Sequence, residues 1–231
     1  HLMYSDIDKR VAARPAQGVG ELQSGAGQKV LRDTYRLLSA TLLFSAIVAG
    51  GSAVLKLPAP GLLLTLAGYF GLLFLTFRLR NSAWGLASVF ALTGFMGYTL
   101  GPILSFYLAM PNGSQIVMTA MGGTGIIFLG LSAYTLVSRK DFTFMGGFLM
   151  VGMLLAVLAV IANIFLQIPA LSLMLSAVII LIMSGYILYQ TSQIIHGGET
   201  NYIMATVSLY ISIYNIFVNL LALLGIFGGN D

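Results

Sequence analysis

The sequence predicts an all-α integral membrane protein of seven transmembrane helices, and three observations carry that prediction. Only 8% of the 231 residues are charged, eleven basic and seven acidic, while 58% are hydrophobic. A water-exposed domain carries roughly a quarter charged residues. A soluble globular enzyme, a nucleic-acid-binding domain and a disordered chain are therefore excluded. Second, the few charges leave long uncharged stretches. These are 19 residues between Arg36 and Lys56, 21 between Lys56 and Arg78, 58 between Arg80 and Arg139, 57 between Asp141 and Glu199, and 31 between Glu199 and Asp231. A helical span needs about 20 predominantly apolar residues. Three of the stretches hold one span each, and the two long ones hold two each. Third, the stretches do not alternate apolar and polar residues. In lipid every backbone polar group must pair within the protein, so spans of this length form helices rather than barrel strands.

Taken in order, residues 1–35 read as a flexible cytoplasmic N-terminal tail and 36–231 as the transmembrane domain. Pro15, Gly18, Gly20, Gly25 and Gly27 argue against stable structure through the middle of the tail. His1 and Leu2 precede Met3, which is expected to be the native start. No apolar core precedes Arg36, so the first span is expected to act as an uncleaved signal anchor. The spans are expected at 36–55, 61–77, 84–107, 116–137, 143–166, 170–190 and 202–227. Pro111-Asn112-Gly113-Ser114 divides the first long stretch, and Gln167-Ile168-Pro169 divides the second. Proline lacks a backbone donor and biases its predecessor away from helix.

Lys and Arg set the expected orientation. Six lie in residues 1–36, two at Arg78 and Arg80, and two at Arg139 and Lys140. With a cytoplasmic N-terminus all ten lie inside and only Lys56 outside, as the positive-inside rule prefers. Seven spans then put the C-terminus on the periplasmic side.

All seven acids and both histidines fall outside the spans or at their edges. Proton relays and ion pathways are usually marked by ionisable groups within the membrane. The polar groups that remain are uncharged. Ser208, Ser212, Asn215 and Asn219 fall on one face of the last helix, extended by Asn201 and Ala205, with Tyr210 and Tyr214 pointing away. Two readings are open: hydrogen bonds between helices, or the lining of a polar pathway. In the fifth span Gly152, Ala156, Ala159 and Asn163 share a face suited to close packing, with Asn163 able to bond across it. Gly97-x-x-x-Gly101 is a second close-packing motif. Gln190 stands near the end of the sixth span, either solvated or facing the polar stripe. His196-Gly197-Gly198-Glu199 is a loop. Its glycines allow unusual backbone geometry, and its one His and one Glu are too few ligands for a stable metal site. A pH-sensing role for His196 stays open through its titration range.

There is no cysteine, so disulfides and thiolate metal sites are excluded. Nucleophile elbows, metalloprotease helices, phosphate-binding loops and paired intramembrane carboxylates are missing as well. No enzymatic activity, catalytic residue, metal, cofactor or nucleic-acid partner is expected.

Gly101-Pro102-Ile103-Leu104, with Ala120-x-x-x-Thr124 and Ile126-Ile127-Phe128, resembles the signature of the BAX inhibitor-1 family, the transmembrane BAX-inhibitor-motif proteins. Further stretches are Lys29-Val30-Leu31-Arg32, Ala162 to Gln167, Ile194 to Tyr202, Ala205 to Tyr210 and Tyr214 to Phe217. Together they cover nearly the whole chain except the tail. The resemblance is strongest to a bacterial branch that modulates the membrane protease FtsH. It implies a seven-helix BAX inhibitor-1-like bundle, an inner-membrane location, and an association with FtsH in which the tail takes part. Calcium-leak members of the family are built around a pair of aspartates in the last two helices. Matching Tyr186-Ile187-Leu188-Tyr189 and Leu209-Tyr210-Ile211 to their pattern places Gln190 and Ser212 at those positions. Neither can ionise, and neutral oxygens are poorer Ca²⁺ ligands than carboxylates. A calcium leak is the alternative function, and these two residues weigh against it.

Overall fold

The computed structural model describes residues 16–228 as seven helices: α1 (Ala16–Val54), α2 (Leu62–Leu79), α3 (Trp84–Leu108), α4 (Gly113–Ser138), α5 (Met145–Leu166), α6 (Pro169–Ile195) and α7 (Tyr202–Gly228). All seven include a segment long and apolar enough to cross a membrane. There is no strand among the described residues. The expected breaks hold. Ala109 to Asn112 separate α3 from α4, and Gln167 ends α5 in the left-handed region at φ 50°. Its N–H closes the helix on the Asn163 carbonyl at 2.8 Å, and Pro169 starts α6 at a position where no donor is needed.

Helix α1 runs from Ala16 to Val54, so residues 16–35 of the expected tail are helical. Residues 1–15, with Lys9, Arg10 and Arg14, lie outside the described residues. The glycines were outweighed by packing. Val30, Leu31, Leu37 and Leu38 recur at helical spacing and join the main core. Tertiary burial of one face supplies most helix stability and overrides weak propensity. Gly27 contributes directly: a Cβ there would meet the Ile194 and Ile195 carbonyl oxygens at 3.4 Å.

Helix α7 stands at the centre and packs against α1, α3, α4 and α6. Leu209, Ile216 and Leu221 on it are fully buried. Helix α2 packs on α3 and α5 packs on α6, at opposite edges. Both are therefore largely lipid-facing, with Leu63, Phe74, Leu158 and Phe165 exposed. Gly152 and Ala156 do face α6, where a Cβ on Gly152 would meet Ile182 at 3.5 Å.

The most extensive helix pair is α1 with α3. Along it α1 presents Thr41, Ser45 and Ser52, all buried. Gly97 lies against Ser45, and a Cβ there would sit 2.5 Å from the Ser45 carbonyl oxygen. Gly101 lies against the Ser52 side chain in the same way. Pro102 stands inside α3 and has no N–H to give to the Tyr98 carbonyl one turn back. Ser52 Oγ donates to that carbonyl instead, at 3.2 Å. The Gly-Pro pair is thus one device: proline frees an acceptor, and glycine leaves room for the serine of α1 to reach it.

Gly97→Ala is expected to lower stability by about 1–3 kcal/mol, the usual cost of overpacking. Gly122→Ala, where an added Cβ meets nothing within 4 Å, is expected to be neutral or mildly stabilising. Thermal unfolding of the purified protein in detergent checks both.

Candidate functional site

The polar stripe of α7 is bonded to its own helix. Ser212 Oγ donates to the Ser208 carbonyl at 3.0 Å, Asn215 Nδ2 to Ile211 at 2.8 Å, and Asn219 Nδ2 to Asn215 at 2.7 Å. These three bonds lie within α7 and join it to no other helix. In a medium without water the nearest acceptor is the carbonyl one turn back, and short polar side chains take it. Asn201 is not part of the stripe. Its Oδ1 accepts from the Ile203 and Met204 N–H groups, which caps the start of α7. Its Nδ2 bonds the Arg80 carbonyl and Asn81, tying the α6–α7 loop to the α2–α3 turn.

The opposite face of α7 holds the one large cleft described. Its volume is about 550 Å³. Helix α1 forms one wall with Leu42 to Gly50, and α4 the other with Val117 to Phe128. Tyr210, Ile213, Tyr214 and Phe217 form its floor. The lining is almost wholly apolar. Ser208, Ser212, Asn215 and Asn219 take no part in it, so this cleft lies on the tyrosine side of α7.

The tyrosine hydroxyls are held by neighbouring helices. Tyr210 and Ser45 share a hydrogen bond of 2.5 Å, and Tyr210 also donates to the Thr93 carbonyl at 3.3 Å. Tyr214 and Thr99 share one of 3.1 Å. Ser45 therefore lies against Gly97 with its backbone and meets Tyr210 with its side chain, joining α1, α3 and α7 at one point. Sequence reading followed the asparagines and missed this hub. Its signal was legible: Thr34, Thr41, Ser45 and Ser52 recur on one face of α1, and a tyrosine hydroxyl deep in a span needs a partner.

The family model described as inhibitor of apoptosis-promoting Bax1 matches residues 27–229. The chain belongs to the Bax1-I family. Its match begins at Gly27, where α1 meets the end of α6. The modulator of FtsH protease YccA of Escherichia coli K12 is 60% identical over 197 residues, covering 85% of this chain and 90% of the relative. An uncharacterised Pseudomonas aeruginosa protein is 56% identical over 87% of this chain and 91% of its own length. A Vibrio cholerae protein described as an uncharacterised membrane protein is 47% identical over 88% and 92%.

In this member of the Bax1-I family no hydrogen bond joins Gln190 and Ser212, and neither lines the cleft. The Gln190 Oε1 atom is buried and has no donor. Asn163 sits at the α5–α6 turn: its Nδ2 donates to Ser172 at 2.6 Å and its Oδ1 accepts from the Ile168 N–H at 3.0 Å. The loop after α6 is built for reversal. Gly197 has φ +79°, and the Gly198 and Glu199 N–H groups both reach the Gln193 carbonyl. A Cβ on Gly198 would collide with the Gln193 side chain. Glu199 Oε1 accepts from the Asn201 N–H at 2.8 Å. Among the described residues no group of three or more His, Asp or Glu stands together as a metal site.

His196 lies beside the α4–α5 loop. Its Nδ1 is 2.9 Å from the Ser192 carbonyl, Ser192 Oγ receives the Phe142 N–H at 2.9 Å, and Asp141 Oδ1 is 3.4 Å from the same hydroxyl. The Thr143 hydroxyl, then its N–H, holds the Asp141 carboxyl below the usual carboxylate range, and His196 adds to this.

Two predictions follow from this geometry. Tyr210→Phe is expected to cost about 1 kcal/mol, the worth of one hydrogen bond. A double-mutant cycle with Ser45→Ala, read by thermal unfolding, should show that the two losses are not additive. For Asp141 the folded pKa is depressed, so its contribution is present at neutral pH and lost below about pH 4, through and under the ordinary carboxylate value. A loss of protection of the Thr143 amide, relative to its intrinsic exchange rate, below that pH, absent in Asp141→Asn, is the expected outcome.

Proposed function

We propose that this chain binds the membrane protease FtsH and restrains its proteolysis, in the inner membrane of a bacterium. One observation carries the reading: 60% identity, over 85% of the chain, to the E. coli protein named modulator of FtsH protease. A protein of a second E. coli strain, O6:H1, with the same identity and coverage, is described as an inner membrane protein. The role is one of binding, without catalysis by this chain.

The N-terminus lies in the cytoplasm in this reading, and the C-terminus in the periplasm. Arg78 and Arg80, Arg139 and Lys140, and the α6–α7 loop gather at one end of the bundle, through the Asn201 bonds to the α2–α3 turn and the Ser192 bond to the α4–α5 loop. A single basic end suits the cytoplasmic face. In this reading the N-terminal segment lies on the side of the membrane from which a cytoplasmic protease would act.

A calcium leak along α7 finds less support, because its polar donors are bonded to the helix itself and no carboxylate stands among them. Liposomes holding the protein and a Ca²⁺ dye are expected to show the flux of protein-free liposomes. For the modulator reading, tagged full-length protein is expected to co-purify with FtsH and to slow degradation of a membrane substrate. If it does neither, the proposal is lost.

A further inference from the structure

We propose that water enters the bundle through a groove between α1, α4 and α6 and is held one helical turn deeper by the hydroxyls of Tyr35, Ser132 and Thr191. The groove is lined by Gly27, Gln28 and Leu31 of α1, Leu136 and Arg139 at the end of α4, and Ile195 at the end of α6. Helices α4 and α6 stop here, at Ser138 and Ile195, so the mouth lies where the chain leaves the membrane. Gln28 and Arg139 are exposed there. A single water needs about 15 Å³, and the groove holds about 80 Å³.

Four residues further in along each helix, Leu31 gives way to Tyr35, Leu136 to Ser132 and Ile195 to Thr191. Four residues of helix advance about 6 Å, or two hydrogen-bond steps of about 2.8 Å. The Tyr35 hydroxyl stands beside those of Ser132 and Thr191. Yet the Tyr35 and Ser132 hydroxyls are buried with no hydrogen-bond partner in the protein. Among the described residues fourteen serine and threonine side chains are buried, and only Thr34 and Ser132 leave their hydroxyls unpartnered. Ser184 and Ser212 take the carbonyl one turn back, as is usual within a membrane helix. Ser132 does not. Thr191 gives its proton to the Ile187 carbonyl at 2.7 Å, so its oxygen is free only to accept. A water among the three can accept from Tyr35 or Ser132 and donate to Thr191, making the about three bonds usual for a buried water. The other unpartnered atoms, Thr34 Oγ1 and Gln190 Oε1, belong to the chain neighbours of Tyr35 and Thr191. All four therefore fall at one level of the bundle, at the inner end of an opening to water. Buried polar atoms gathered in this way are what a hydrated site requires.

The inlet is blind. About one turn further in stand Leu38, Phe128 and Ile187, which are 1%, 8% and 0% exposed. The Phe128 ring lies 5.9 Å from that of Tyr35. This apolar layer closes the inlet and separates it from the cleft beside α7, whose lining includes Phe128. Water is thus held at one end of the bundle and has no path across the membrane here.

The test reads magnetisation passed from water to protein by solid-state NMR, with isotope-labelled full-length protein in phosphatidylethanolamine–phosphatidylglycerol vesicles. Ser132 and Thr191 are 3% and 0% exposed, so water touches them only from within. Thr135 is the comparison. It is as buried, lies about one turn nearer the end of α4, and bonds the Leu131 carbonyl. At short mixing times Ser132 and Thr191 are expected to receive roughly threefold more signal than Thr135 and Thr41, because only the first two touch a water. Ser132→Leu, which fills the site, should bring Thr191 down to the level of Thr135. Gly130→Leu, on the exposed face of α4 with open space around it, should leave Thr191 unchanged. Leu136→Trp closes the groove at its mouth and repeats the test should Ser132→Leu fail to fold. Equal transfer to Ser132, Thr191 and Thr135 would overturn the proposal, since the three hydroxyls would then bond one another directly. So would a Thr191 signal that survives both filling substitutions, or one that arrives from acyl-chain protons instead of water.

Discussion

A carbonyl that its own helix cannot satisfy is the point on which this bundle turns. In hydrocarbon no water is available to the Tyr98 oxygen, and Pro102 has no N–H to offer it. The acceptor must be met by another helix, and Ser52 of α1 meets it. That requirement draws α1 and α3 together to a distance that only Gly97 and Gly101 permit. Once the two helices are in register, Ser45 is placed to bond Tyr210 and the third helix, α7, is fixed against them. One missing backbone donor thereby orders three helices, including the central one.

The same constraint explains why the polar groups of α7 divide into two kinds. Ser212, Asn215 and Asn219 are short enough to reach a carbonyl one turn back, and they do. A tyrosine hydroxyl stands too far from its own backbone for that, so Tyr210 and Tyr214 bond to α1 and α3. The residues that look most polar are locally quiet, and the aromatic ones hold the bundle together. The consequence for function is that the face open to a ligand is apolar.

Much of the architecture was legible from spacing. The positions of Arg36, Lys56, Arg80, Arg139, Asp141 and Glu199 divided the chain into seven spans, because a charge within hydrocarbon is too costly to place freely. Observed and expected ends of α2, α3, α5 and α7 differ by no more than two residues. Helix α1 extends N-terminal to the expected span, and Gly27 on it packs against the end of α6, a surface that glycine propensity alone does not reveal. Helix α6 continues five residues past its expected end at 190, since Ile194 is buried in the core. The candidate site was less legible. Asn163 closes the last turn of α5, and His196 and Glu199 lie in the loop after α6, where their partners are visible only once the chain reverses.

By itself the sequence determined the class, the number of helices, the breaks between them and the family, because these depend on charge spacing, proline and local motifs. It also determined that Gln190 and Ser212 cannot ionise. Which face of α7 matters was decided only by the tertiary structure. Helical periodicity identifies a polar stripe but not what lies opposite it. The pairing of Ser45 with Tyr210, the use of Ser52 by the Tyr98 carbonyl and the cleft bounded by α1, α4 and α7 all depend on how distant helices approach one another. That approach is set by packing over the whole bundle, for which no local pattern is a substitute.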